Sequence, residues 1–290
     1  MPGLKLPGPL VSVEWLHEHL ADPQLVIFDG SWHMPGTHRD AREEWQHEHI
    51  PGARFFDFDQ TICDPGATLP HMFPDADLFT EEVQKLGLNE DSVVVVYDSL
   101  CMFTGPRVWW MLRAMGFDNC AMLDGGLPAW HRAGYDCADE EDWQVPERGN
   151  FVARPVTGMV CGLDAVVDAL DNGSAAVVDA RPAPRYLGEV DEPRPGLRRG
   201  HMPGASNLPF PDLFDDGRMK SMEELKSLLG GHFDDSRHTI CSCGSGVTAC
   251  VIGFAAYLLG NDNVSVYDGS WCEWGLPGDL PAVCGAEQVE

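Results

Sequence analysis

Short, densely apolar runs alternate along this chain with longer segments whose apolar residues recur at helical spacing. Val26-Ile27-Phe28-Asp29, Val94-Val95-Val96-Tyr97, Ala176-Val177-Val178-Asp179 and Thr239-Ile240-Cys241 have the length and β-rich composition of buried strands. Residues 13–20, 81–86, 107–115, 163–170, 222–229 and 247–259 carry the helical pattern. Strand and helix in strict alternation predict an α/β fold, with a mainly parallel sheet flanked by helices.

Written over one another, the two halves match in order. The runs ending in Asp29 and Asp179 correspond, and His49-Ile50-Pro51-Gly52-Ala53 pairs with His201-Met202-Pro203-Gly204-Ala205. The strand before Asp98 pairs, with a one-residue slip, with the strand before Cys243, and Asp124-Gly125 with Trp130 returns as Asp268-Gly269 with Trp274. Two tandem homologous domains follow, residues 11–138 and 159–285. The acidic, Pro/Gly-containing stretch 139–158 lacks periodicity and reads as their linker. Asp-Gly-Ser-Trp also occurs twice, at Asp29 and Asp268, but at non-equivalent points of the repeat.

Composition narrows the partners. A chain of 290 residues, 44% hydrophobic, can fill two cores. No stretch approaches the ~20 apolar residues of a membrane span, and the start offers no apolar signal core, so a cytoplasmic protein is expected. With 19 basic against 46 acidic residues, the net charge of −27 repels nucleic acid and anionic membranes alike. Ten cysteines are too dilute for a disulfide scaffold. Cys241-Ser242-Cys243 lacks the second Cys or His pair of a zinc site, so no metal is expected.

Chemistry concentrates in Cys243-Gly244-Ser245-Gly246-Val247-Thr248, where a strand gives way to a strongly apolar helix. A thiol there lies near a helix N-terminus and unpaired backbone N–H groups, both of which favour thiolate. Taken alone it reads as a buried, inert cysteine. The repeat decides otherwise, because it puts Cys243 at the carboxyl edge of a parallel sheet, where such folds gather their sites. Its counterpart is Asp98, which cannot act as a sulfur nucleophile, so the second half is the catalytic one; Cys101, three residues on, reads as a packing or loop thiol. Five arginines (181, 185, 194, 198, 199) stand against three acids between positions 181 and 199, a local reversal of sign that suits an anionic substrate.

On these motifs, and on Asp179-Ala180-Arg181-Pro182 and Tyr267-Asp268-Gly269-Ser270-Trp271, the chain resembles the tandem-domain rhodanese-family sulfurtransferases, most closely the branch that takes sulfur from 3-mercaptopyruvate. The resemblance implies a persulfide on Cys243, passed to thioredoxin, a small thiol or cyanide, with no metal or organic cofactor. It assigns Arg185 and Arg194 to the substrate carboxylate and carbonyl, and Asp59, His71 and Ser245 to a hydrogen-bonded relay. Arg181, Arg198 and Arg199 are expected as solvated surface charges, with a structural role as the alternative for Arg181. Gly244 and Gly246 let backbone N–H groups of the loop turn inward around the sulfur, and Val247 and Thr248 complete that substrate-binding loop. Thiosulfate-preferring relatives carry basic residues after the cysteine; the uncharged Gly244-Ser245-Gly246 favours the keto acid as donor. A phosphatase of the same fold needs an arginine six residues after the cysteine, and Ala249 stands there.

Overall fold

Every residue of the run Val93–Tyr97 is buried, and it forms the middle strand of a five-stranded parallel sheet, whose two faces must both be covered. The computed structural model describes residues 3–233 and 237–286. It divides into two units: Met1–Gly66 with Phe73–Val156 and Asp216–Arg218, and Ala67–Met72 with Thr157–Asp215 and Met219–Glu290. The first unit's sheet comprises β1 (Leu10–Val11), β2 (Leu25–Asp29), β3 (Ala53–Phe55), β4 (Val93–Tyr97) and β5 (Cys120–Leu123), in the order β1-β5-β4-β2-β3. The second comprises β6 (Val160–Cys161), β7 (Ala175–Asp179) and β8 (Ser206–Asn207), then, after a separate two-stranded ribbon of β9 (Phe214–Asp215) and β10 (Arg218–Met219), β11 (His238–Ser242) and β12 (Val264–Tyr267). Its order, β6-β12-β11-β7-β8, is that of the first sheet, and its pairs are again all parallel.

Helices α1 (Val13–His19), α2 (Ala41–His47), α3 (Ala76–Lys85), α4 (Gly105–Ala114) and α5 (Gly126–Arg132) flank the first sheet, and α6 (Leu163–Asn172), α7 (Ala183–Tyr186), α8 (Met222–Leu229), α9 (Ala249–Leu258) and α10 (Ser270–Trp274) the second. Their limits follow local chemistry. The Asp75 carboxylate caps α3 by accepting the Leu78 N–H at 2.8 Å, which starts this helix five residues ahead of the apolar pattern. Ser221 and Glu224 close a capping box on α8. Helix α9 begins at Ala249, two residues later than its apolar pattern, because Gly246 turns the chain through a left-handed conformation, φ +74°. From Ala249 to Ala256 every residue of α9 is buried, which accounts for a helix apolar on all sides.

The His-Pro-Gly motifs are structural in both units. His49 Nδ1 meets the carbonyl of Trp45 at 2.7 Å and stacks on its ring; His201 does the same with Tyr186 at 2.8 Å. A carbonyl only accepts, so each Nδ1 carries the proton. The expected linker is fastened along much of its length to the first unit: Phe151 is buried, its N–H donates to Leu88, and the N–H groups of Arg154 and Val156 donate to Met115 and Ala114. Its lack of periodicity reflects an extended strap without secondary structure of its own. Among the described residues no helix is long and apolar enough to cross a membrane.

Candidate active site

Strands β4 and β11 end in equivalent register, Tyr97 beside Asp29 and Ser242 beside Asp179, so the next residues, Asp98 and Cys243, hold the same place in the two sheets. Surrounding bonds repeat as well. Tyr97 O accepts from Gly30 and Ser242 O from Ala180, both at 2.8 Å; Asp98 O accepts from Leu127 and Cys243 O from Trp271, both at 3.0 Å. The loop from Cys243 to the cap of α9 is one residue shorter than that from Asp98 to the cap of α4, which is the slip seen in the sequence.

In the first unit that loop wraps an anion. Leu100 and Met102 donate backbone N–H groups to one oxygen of Asp98 at 2.8 and 3.0 Å, and Thr104 and Gly105 to the other at 2.8 and 2.6 Å. Burial pushes the Asp98 carboxyl above its ordinary range while these four bonds oppose the shift. In the second unit Cys243 takes the place of that carboxylate. Cys243 is 1% exposed, and the amides of Gly244, Ser245, Val247 and Thr248 bond to no acceptor among the described residues. The loop is pinned from outside: Cys243 N–H donates to Ser270 Oγ at 3.1 Å, that hydroxyl donates to Tyr267 O at 2.8 Å, and Cys272 N–H donates to Gly244 O at 2.8 Å.

Arginine reaches the loop through a buried ion network. Arg181 forks onto Asp179 at 2.6 to 3.1 Å, donates to Glu192 at 2.8 Å and lies 4.3 Å over the Trp271 ring. The other oxygen of Glu192 holds Arg185 at 2.5 Å. A methyl group placed on Gly244 would stand 2.9 Å from that guanidinium, so the glycine makes room for Arg185 against the loop. The structure thus corrects the solvated reading of Arg181, which is fully buried, and supports its structural alternative. Arg198 is corrected too: its guanidinium donates to the carbonyls of Leu280 and Trp274 at 2.6 and 2.7 Å. Arg199 is exposed, paired with Asp191.

Arg194 is held by a residue far away in sequence. Its Nη2 lies 2.9 Å from Nε2 of His71, which is buried and has φ +60°. A guanidinium only donates, so Nε2 accepts and the ring proton sits on Nδ1. Ser245 has no hydrogen-bond partner among the described residues. Asp59 belongs to the first unit, where its carboxylate accepts from Gln60 at 2.8 Å and its carbonyl from Cys63 at 3.2 Å. Sequence reasoning gave no role to Glu192, which holds two arginines, nor to Ser270 and Cys272, which hold the loop. Ser270 and Cys272 lie in or beside a motif visible in the chain; Glu192 gave no signal beyond being an acid among arginines. Burial pushes the Cys272 thiol up, with Arg194 pulling the other way.

Two copies of one parallel α/β unit, with a buried thiol at the sheet edge of the second, define a tandem rhodanese architecture. The chain belongs to the rhodanese-like domain family, which matches residues 12–133 and 163–276. It is 42% identical over 273 residues to the 3-mercaptopyruvate sulfurtransferase of Escherichia coli K12, covering 93% of this chain and 96% of that protein. It is 39% identical over 299 residues to the Thiosulfate/3-mercaptopyruvate sulfurtransferase 1, mitochondrial, of Arabidopsis thaliana, covering 94% of this chain and 77% of that one. Its fold matches the crystal structure of SseA from Escherichia coli, described with the rhodanese fold and catalytic mechanism of 3-mercaptopyruvate sulfotransferases, with a TM-score of 0.82 and 38% identity over 91% of this chain and 98% of that one.

Proposed function

We propose that the chain is an enzyme, a 3-mercaptopyruvate sulfurtransferase that carries sulfur as a persulfide on Cys243. The observation that carries this reading is a buried thiol in a loop of uncommitted amides, in the same place where the first repeat holds a carboxylate, with Arg185 packed against the loop. Relatives named for this reaction, at about 40% identity over most of the chain, support it.

In this reaction the Cys243 thiolate attacks the sulfur of 3-mercaptopyruvate. The new S–S bond forms as the C–S bond breaks, the C–S electron pair enters the enolate of pyruvate, and a proton from solvent returns that enolate to the ketone. Arg185 and Arg194 grip the carboxylate and keto oxygen and stabilise the charge growing there. Amides of Gly244, Ser245, Gly246, Val247 and Thr248 surround the sulfur, and the Ser245 hydroxyl faces the incoming thiol. His71, through Nε2, positions Arg194, and Asp59 keeps the orienting role that the relay with His71 and Ser245 gives it. A thiol, such as thioredoxin or a small thiol, or cyanide then removes the outer sulfur as persulfide or thiocyanate, so the kinetics are of the double-displacement kind. We place the reaction in the cytoplasm, a setting consistent with ten cysteines that are all thiols.

The test is mass spectrometry of wild type and Cys243→Ser after exposure to 3-mercaptopyruvate, with pyruvate release followed in parallel. Wild type is expected to gain one sulfur on Cys243 and release pyruvate on every turnover, and the variant to do neither. Persulfide without turnover would make the chain a passive sulfur carrier. Because a relative is named for both donors, kcat/KM is compared for 3-mercaptopyruvate and thiosulfate; a strong preference for thiosulfate overturns the assignment of donor.

A further inference from the structure

Three side chains of the first unit converge in a way the sulfur chemistry does not use. Glu48 caps the end of α2, His131 lies in the last turn of α5, and Cys137 precedes a two-residue antiparallel bridge in which His49 and Ala138 exchange N–H···O bonds, both at 2.9 Å. Glu48 and Cys137 flank the bridge at diagonal positions, and the last turn of α5 brings His131 to both. His131 Nε2 stands 3.2 Å from a Glu48 oxygen and 3.5 Å from the Cys137 sulfur, and the three ligand atoms all lie within 4.8 Å of one another.

Those separations have a geometric meaning. Tetrahedral zinc, with Zn–S about 2.3 Å and Zn–N and Zn–O about 2.0–2.2 Å, sets its S and N ligands about 3.6 Å apart and its N and O ligands about 3.4 Å apart. We propose that Glu48, His131 and Cys137 form a three-ligand site for a borderline divalent cation of the zinc type, with water as fourth ligand. A thiolate among the donors argues against magnesium and calcium, which take oxygen. Access is open: Glu48 and His131 are 53% and 41% exposed and line a cavity of about 340 Å³. The ion ties the end of α2 to α5 and to the bridge that begins the strap. Uptake displaces one proton, the thiol becoming a metal-bound thiolate and its H⁺ passing to solvent. Paired Cys/His spacing in the sequence does not reveal the site, because its ligands come from positions 48, 131 and 137.

Reduced, chelator-stripped protein titrated with Co²⁺ alone tests the proposal. Wild type is expected to bind one ion with the intense visible bands of four-coordinate cobalt and a thiolate-to-cobalt charge-transfer band. Cys137→Ser abolishes that band, His131→Ala weakens binding at least tenfold, and Cys243→Ser leaves both signals intact. Zn²⁺ raises the Tm of wild type and not that of Cys137→Ser. Absence of the charge-transfer band in wild type, or its survival in Cys137→Ser, overturns the site. Neither result bears on persulfide formation at Cys243.

Discussion

His71 shows how one side chain can set the chemistry of another. Its Nε2 has a single lone pair, and Arg194 occupies it at 2.9 Å, which fixes both the imidazole tautomer and the place of the guanidinium. A charge-assisted bond of this kind contributes about 1.5–3 kcal/mol, enough to change substrate affinity by tenfold or more. His71→Ala should therefore raise KM for 3-mercaptopyruvate about tenfold and lower kcat much less, while His71→Gln, whose side-chain carbonyl can also accept from Arg194, should recover most of the loss. Steady-state kinetics of the two variants checks this; a fall in kcat with KM unchanged in both would instead make His71 a direct participant in the chemistry. The place of Cys243 at the sheet edge was legible from sequence, because motif and repeat mark it, whereas Arg185 came only from the resemblance. The partner of Arg194 was not legible, since 123 residues separate the pair and only the fold brings them together.

Elements were legible wherever hydrophobicity alone builds them. Strands β2, β4, β7 and β11, which include the middle strand of each sheet, and the long helices follow from burial on two faces or one, and the repeat accords with the strand order the two sheets share. Short helices such as α7 and α10 escaped, because a single turn carries too little period to read and is held by contacts made elsewhere. Arg181 supplies those contacts at the end of β7, joining Asp179 and Glu192 and covering Trp271 of α10. Composition counts it as one more surface charge, whereas its environment makes it a tie between three segments. Arg181→Met leaves two buried carboxylates facing each other and should cost about 3–5 kcal/mol, with Arg181→Lys intermediate because an ammonium cannot fork. Arg199→Ala, which breaks only an exposed pair, should leave the stability essentially unchanged. Urea unfolding compares the three, and equal costs for Arg181→Met and Arg199→Ala would remove the network from the account of this fold.

At the scale of the whole molecule the dominant quantity is charge. With 46 acidic and 19 basic residues, a net −27 remains after every cation is matched with an acid. The exposed pairs that do form, such as Lys85 with Glu81 and Glu82 or Arg154 with Glu90, contribute little, being screened by solvent. The buried network around Arg181 is shielded from solvent, so added ions reach it little. Salt therefore acts on two opposing quantities of unequal size, a few weak surface attractions and a widespread repulsion among unmatched carboxylates. Screening shortens the reach of both from about 30 Å at 0.01 M to about 3 Å at 1 M, and the repulsion, being the larger, loses more. Tm should thus rise monotonically as KCl goes from the low millimolar range to about 1 M, by several degrees. Potassium chloride is the appropriate salt, since sulfate or phosphate would strengthen apolar burial in any protein and mask the effect. Replacing six exposed, unpaired acids with their amides should flatten the curve in proportion to the charge removed. A Tm that falls with KCl would mean that the surface pairs outweigh the repulsion, and that the acidic excess is not what limits the stability of this chain.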